Sequence, residues 1–520
     1  MTVFRSIAVV LVSVVCLHAE VTPQGNVDSA LARFWAAKDP SAAAKATTDI
    51  VRSGATFDQV YAKLKEGRTY AKDVATGLVT DRRGGLAGEF GYTIEIPAGY
   101  DAAKRYQVRV QLHGGVNRSA SAPRRTGGIG RLAGAEQIYV MPQAWDEAPW
   151  WTDEQVINLR AILDVVKRSY NIDENRVAVA GVSDGGTGAY YVAMRDPTPY
   201  SSFLPLNGSI VVLTNASAGV RGDLFPTNLR NRPFFIVNGG RDPLYPLGSV
   251  EPYVRHLHDG GVTVVYRPQP SAGHDTSWWS EEKDAFEAFV RDHPRVPLPD
   301  RLTWETSDTR SSGRVHWLVI ESLGSRSGET QALPDLNDIP PPRVVDFGIR
   351  MNGAKIEQVI PASNADRIAL KNGDTIARID DRTITAGSDI LLAFQAHAVG
   401  SPIRFTVVRN KKEIDLTGTF APMEMKSEAT TLFRHHSRSG RVDLERVGNT
   451  VNALTRGVTE FTLLLSPEQF DFSKPVKVTT NGNAAFEGTV EKSLATLMKW
   501  AARDNDRTML FGAESRVKVR

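Results

Sequence analysis

The sequence holds a single cysteine, Cys16. One cysteine cannot close a disulfide within the chain, and in a chain of this size large cores make disulfides unnecessary. Metal signatures are missing as well: there is no H-E-x-x-H. His256 and His258 stand two apart and share no helical face. His435-His436 lies in a basic, turn-like run that reads as solvated loop. No metal or cofactor is expected. Neither charge dominates: 62 Lys and Arg face 59 Asp and Glu, which gives a net charge of +3 and no reason to expect nucleic acid or an anionic membrane as partner.

Long apolar runs are absent too. The stretch 7–17, after Arg5, falls short of the roughly 20 residues a membrane span needs and fits the core of a signal peptide. Leu17-His18-Ala19 is an acceptable cleavage site, so residues 1–19 read as a leader and the mature chain starts near Glu20 without cysteine. Val15 is bulkier than the residue that precedes a lipid-attachment cysteine. The expected address is periplasmic or secreted, from a bacterium, with no transmembrane segment after leader removal.

What is present is 520 residues, 41% of them hydrophobic, which is too much for one core and suits three or four domains. Residues 20–85 carry apolar residues at helical spacing (Leu31, Phe34, Trp35; Val60, Leu64) and read as an N-terminal helical appendage. From Glu89 the pattern alternates. FGYTIEIPAGY, YQVRVQLHGG and IYVMPQA read as strands, residues 152–170 as an amphipathic helix capped by Thr152 and Asp153, and FLPLNG, PFFIVNGG and VTVVYRPQ as further strands. Strands alternating with helices over 86–300 predict an α/β domain, a doubly wound and mostly parallel sheet covered on both faces. Function then gathers at the carboxyl ends of the strands.

The strand VAVAG runs into Gly181-Val182-Ser183-Asp184-Gly185, a G-x-S-x-G pattern between a buried strand and a helix. Such a turn is strained, and its glycines let strand and helix approach closely. Ser183 then stands at a helix N-terminus, where developing negative charge is favoured. Three other strand ends carry polar residues: His113-Gly114-Gly115, Arg241-Asp242-Pro243, and Gly273-His274-Asp275. The order Ser183, Asp242, His274 is a triad order, with Asp223 and Asp275 as rival acids and His113 as a rival base.

Together YTIEIPAGYD, VQLHGG, NIDENRVAVAGVSDGG, VNGGRDPLYP and AGHD resemble an α/β-hydrolase of the secreted esterase group, near feruloyl and acetyl-xylan esterases and polyester depolymerases. The resemblance implies Ser183 as nucleophile, His274 as base and Asp242 as its orienting acid. It implies an oxyanion hole from the N–H groups of Asp184 and Gly115, with His113 bracing that loop. Trp145, Trp150, Trp151, Trp278 and Trp279 flank the strand ends. Of these, Trp150, Trp151 and Trp278 are the expected substrate pocket, suited to an aromatic acyl group or a sugar ring.

Beyond residue 300 the strand–helix alternation stops. Residues 301–340 contain the strong strand VHWLVIESL and the linker-like ALPDLNDIPPP, whose proline run cannot join a helix or a central strand. Residues 341–420 resemble a bacterial-type PDZ domain, from VVDFGIRMNG through VIPASNADRIALKNGDTIARID. That resemblance assigns Phe347, Gly348 and Ile349 to a loop that receives a C-terminal carboxylate while the peptide adds to the sheet edge. Residues 425–520 return to strands, with an Asn481-Gly482 hairpin signal, and read as a small β-sandwich completed by residues 315–323, so that the PDZ-like unit is inserted into it. The expected function is an exported serine hydrolase acting on small-molecule or polymer esters, with a peptide partner at the second unit. Two alternatives stand: a peptidase of the prolyl-oligopeptidase type, and a PDZ binding protein whose hydrolase unit is inactive.

Overall fold

The computed structural model describes residues 23–117, 132–324, 335–339, 344–425 and 430–519; the expected leader, residues 1–19 with Cys16, lies outside them. Among the described residues no helix is long and apolar enough to cross a membrane.

Three helices come first: α1 (Pro23–Ala36), α2 (Pro40–Arg52) and α3 (Phe57–Glu66). Asp39 caps α2 by accepting from the Ala42 N–H at 2.8 Å, and Thr56 with Gln59 forms a capping box on α3. Their apolar faces are too small to make a core alone. Leu31, Ile50, Val60 and Leu64 are buried together with Leu497, Met498 and Ala501 of the C-terminal helix Leu494–Asp504. The expected appendage is therefore a cap closed by a helix distant in sequence.

The main sheet contains β1 (Gly77–Gly85), β2 (Gly88–Ile96), β3 (Tyr106–Leu112), β4 (Ile138–Pro142), β5 (Ile172–Val182), β6 (Ser202–Leu206), β7 (Phe234–Gly239) and β8 (Val264–Gln269), in the order β1-β2-β4-β3-β5-β6-β7-β8. β2 runs antiparallel to β1 and β4, and the remaining pairs are parallel. β1 corrects the expectation that residues up to 85 are helical. GLVTDRRGG is an exposed edge strand with little apolar alternation to betray it.

Alternation along the central strands feeds two cores. Val177, Val179, Phe203, Phe234 and Ile236 face one side, where α4 (Asp153–Ser169), α5 (Asp184–Arg195) and α6 (Leu247–Asp259) pack. Ala178, Ala180, Leu204, Leu206, Phe235 and Val237 face the other, against Phe286, Phe289 and Val290 of α7 (Trp279–Asp292). Both faces are covered, which is why these strands read as continuous apolar runs.

The next unit is assembled from distant segments. Strand β9 (Arg301–Thr306) pairs with Gly440–Val447 in a five-stranded sheet, and Leu318–Leu323 pairs with Val458–Leu465 in a four-stranded one. Trp304, Trp317, Ile320, Val442, Phe461 and Phe511 fill one core between them. This double-sheet unit docks on the main sheet through buried ion pairs. Arg295 donates to Asp506 at 2.7 Å with both side chains almost fully buried, and Arg507 donates to Glu174 at 2.6 Å.

Between its two halves lies a third unit with its own core (Phe347, Ile356, Ile376, Phe405, Val407, Phe420) and a sheet of Ile349–Asn352, Lys355–Val359, Thr375–Ile379, Pro402–Arg409 and Lys412–Thr419. Two short antiparallel pairs form its neck, Asp338–Ile339 with Thr430–Thr431 and Val344–Asp346 with Met423–Met425. The stretch before the neck is no free linker. Leu336 is fully buried against Gly260 of the main unit, and its carbonyl lies 3.1 Å from His256 Nε2. Leu336 and Ile339 among polar residues are too few to leave a periodic trace, so a docked strap reads as a spacer. Likewise His435, expected in solvated loop, packs its ring on Phe225 and bonds the Leu224 carbonyl at 2.8 Å.

Candidate active site

Ser183 joins β5 to α5 with φ 57° and ψ −120°, a conformation that L-residues adopt only under constraint. The constraint is visible. Its N–H donates to the Leu206 carbonyl at 2.9 Å, and a Cβ on Gly181 would meet the Gly185 carbonyl oxygen at 2.0 Å, so only glycine fits beside it. The hydroxyl is thereby carried to the carboxyl edge of the sheet.

The loops after β7 and β8 are bound to one another. Gly240 N–H donates to Gln269 O at 2.7 Å and Arg241 N–H to Ala272 O at 2.8 Å, and a Cβ on Gly239 would lie 2.2 Å from Gly273 O. This contact brings His274 and Asp242 together: Nδ1 lies 2.7 Å from Asp242 Oδ2, and Nε2 lies 2.9 Å from Ser183 Oγ. Asp242 is buried, and its Oδ1 accepts from the N–H groups of Leu244 and Tyr245 at 2.8 and 3.0 Å. A carboxylate with those donors is acceptor-only, so it fixes the proton on Nδ1 and leaves the Nε2 lone pair facing the serine hydroxyl. The rival acids stand elsewhere. Asp223 accepts from the N–H groups of His436 and Ser437, and Asp275 is exposed and accepts from Ser277 N–H.

The HGG loop abuts the serine: a Cβ on Gly114 would lie 2.8 Å from Ser183 Cβ, and Gly115 has φ 67°. Asp184 pins the loop with its carboxylate: Oδ2 accepts from Val116 N–H at 2.9 Å. His113 does not reach the serine. Its Nε2 accepts from Ala144 N–H at 3.1 Å, its Nδ1 lies 3.0 Å from Gly114 O, and its carbonyl accepts from the Trp150 indole at 2.8 Å.

The tryptophans need correction. Trp150, Trp151 and Trp278 are buried side chains of the two cores that flank the sheet, with almost no surface exposed for a substrate. Indoles beside catalytic loops have large apolar surfaces to hide, and here that need wins. Tyr245, absent from the expected site residues, is nearer the triad: its ring meets the His274 ring edge-on at 5.6 Å. Burial first, then the negative charges of Asp184 and Asp242, push its hydroxyl up to about 12. Its clue in the sequence was its place three residues after Asp242.

The third unit has a groove of about 430 Å³ between its edge strand Ile349–Asn352 and the helix Gly387–Ala396. Residues 334–418 match the family model for the PDZ domain. The inserted unit is a PDZ domain. The main sheet, by its strand order and strained serine turn, has the α/β-hydrolase fold. Among curated proteins the chain is similar to the probable feruloyl esterase C of Aspergillus terreus (strain NIH 2624 / FGSC A1156), 24% identical over 234 residues that cover 41% of this chain and 82% of that protein. A crystal structure of a thermostable esterase is 19% identical with a TM-score of 0.33, over 42% of this chain and 63% of that one, less than two thirds of its length. A CE1 ferulic acid esterase from the anaerobic fungus Anaeromyces mucronatus, solved in the absence of substrate, is 17% identical with a TM-score of 0.34, over 44% of this chain and 94% of that one.

In the loop expected to receive a carboxylate, Phe347-Gly348-Ile349, the Gly348 N–H donates to Asp346 Oδ1 at 2.8 Å.

Proposed function

We propose that this chain is an exported serine hydrolase that cleaves carboxylic esters through an acyl-enzyme on Ser183, with its PDZ domain as a peptide-binding accessory. The observation that carries the reading is the unbroken chain Asp242–His274–Ser183, at 2.7 and 2.9 Å, ending on a strained serine. As Ser183 Oγ attacks the ester carbonyl, its proton passes to His274 Nε2, and Asp242 stabilises the imidazolium. The tetrahedral oxyanion is met by the N–H groups of Asp184 and Gly115, each worth roughly 3 kcal/mol of transition-state stabilisation in sites of this type. His274 then protonates the leaving alcohol, and water repeats the sequence to release the acid. The likeness to a probable feruloyl esterase supports the ester class, and the leader-like residues 1–19 support export.

A fluorophosphonate probe is expected to add one label, mapped by peptide mass to Ser183. On a panel of aryl esters and matched anilides, the esters are expected to turn over much faster, because amide cleavage also demands protonation of a poor leaving group. A label on another serine overturns the site, and proline-containing amides cleaved faster than every ester replace the esterase reading with a peptidase.

The PDZ domain touches the hydrolase away from the triad, through Arg382 and Glu251 at 3.6 Å on α6. Its ends are antiparallel neighbours, Val344 opposite Met425, so a short Gly-Ser linker can close the gap. Deletion of 344–425, with the docked residues 335–339 and 430–437 kept, is expected to leave kcat on p-nitrophenyl acetate within threefold of the full chain. A collapse of kcat in a protein that still melts cooperatively would mean that the PDZ domain completes the catalytic site.

A further inference from the structure

In the PDZ domain the loop that leads into the groove is immobilised from behind. Phe347 is buried, its ring stacked on Phe394 at 4.7 Å, and its carbonyl accepts from Ala365 N–H at 3.0 Å. Gly348, at φ 87°, has its carbonyl bonded by Ile360 N–H at 2.8 Å, and a Cβ there would lie 2.0 Å from Ser363 Cβ. The loop therefore cannot turn its backbone, and the Gly348 N–H points where Asp346 Oδ1 already receives it. Arg350 holds Asp346 in that position, at 3.2 Å. Arg350 first, and the Gly348 N–H second, hold the Asp346 carboxyl below the usual carboxylate range, so it is a full negative charge at neutral pH.

Resting on the reading of this groove as a peptide site, we propose that it takes an internal, extended segment of a partner protein rather than a free C-terminus, because Asp346 occupies with its own carboxylate the central one of the loop's backbone donors, Gly348 N–H, and sets its charge against a terminal carboxylate. A second carboxylate brought to the same N–H would face Asp346 at hydrogen-bond distance, with Arg350 as the only cation that pairs with Asp346 among the described residues. An internal segment carries no charge at that end. It gains the open edge of Ile349–Asn352, the end strand of its sheet, and can seat apolar side chains between Met351 on the strand and Leu391 and Phe394 on the helix. Leu391 is 43% exposed, a large apolar side chain turned to solvent at the groove.

The test pans two random decapeptide phage libraries on the immobilised full chain, one ending in a free carboxylate and one embedded between fixed flanks. The Leu391→Glu chain removes binders that do not use the groove. Enrichment from the embedded library is expected, and the winning sequence, synthesised as acid and as amide, is expected to bind within threefold in the two forms. In Asp346→Ala, which vacates the Gly348 N–H, the acid form is expected to gain at least tenfold over the amide; Asp346→Asn, which keeps an acceptor without the charge, is expected to gain less. Enrichment from the free-carboxylate library alone overturns the inference and leaves the groove a peptide site. Enrichment from neither library overturns both, and an unchanged acid-to-amide ratio in Asp346→Ala overturns the role of Asp346.

Discussion

Ser183→Ala and His274→Ala are each expected to lower kcat on p-nitrophenyl acetate by about 10⁶-fold while the melting curve stays in place. The two losses are alike because neither group works alone: the hydroxyl is a weak nucleophile until Nε2, 2.9 Å away, can take its proton. The double variant should therefore be no worse than either single one. Asp242→Asn keeps the shape but lets the amide NH₂ group face Nδ1 and favour the wrong tautomer; a loss of about 10⁴-fold is expected. Stopped-assay kinetics on all four proteins decide the matter. A His274→Ala chain that retains a tenth of the activity would move the base elsewhere.

The second large effect concerns stability. Asp506 is buried in the seam between the α/β-hydrolase domain and the double-sheet unit. It accepts from Arg295 at 2.7 Å and from Thr508 Oγ1 and N–H at 2.7 and 2.9 Å, with Lys167 at 3.6 Å. Burial alone would raise its pKa, but Arg295, then Lys167, then the Thr508 donors outweigh it and hold it well below the usual carboxylate range. A depressed folded-state pKa means that the stabilisation is fully present above the unfolded value of about 3.9 and is lost as pH falls through the folded one. Asp506→Ala leaves the Arg295 and Lys167 charges buried without this partner, and removing one member of such a pair costs about 3–5 kcal/mol. Urea midpoints at pH 7 measure it, with the exposed pair Arg301–Glu445 as control: Arg301→Ala should cost about 1 kcal/mol or less. A midpoint for Asp506→Ala as mild as that control would show that the seam contributes little to stability.

The contrast between what was legible and what was not is physical. Ser183, Asp242 and His274 announce themselves because each sits in a local context, a strand end followed by glycine or proline, that short sequence windows contain. The buried contacts that join the segments have no such context. Nothing near Arg301 says that its strand pairs with residues 440–447, and nothing near Leu336 says that it fills a space beside Gly260. The tryptophans failed for a related reason. Position beside a strand end is visible in the chain, but the direction in which an indole points is set by the volume left beneath the loops. Asp346 shows the finer limit: its bond to the Gly348 N–H depends on one rotamer, which no sequence pattern carries.

The pairing of the first helices with the last one has a consequence for biosynthesis. In synthesis α1–α3 emerge long before Leu494–Asp504, the helix that covers Leu31, Ile50 and Leu64. The hydrolase sheet and the PDZ domain are contiguous and can close as they appear, whereas β9 must wait for its partner strand on the far side of the PDZ domain. A nascent chain is thus left with greasy helical faces and an unpaired strand until residues 440–504 have been made. Any product cut short of residue 494 keeps them bare, and so carries its own mark for chaperone retention and proteolysis.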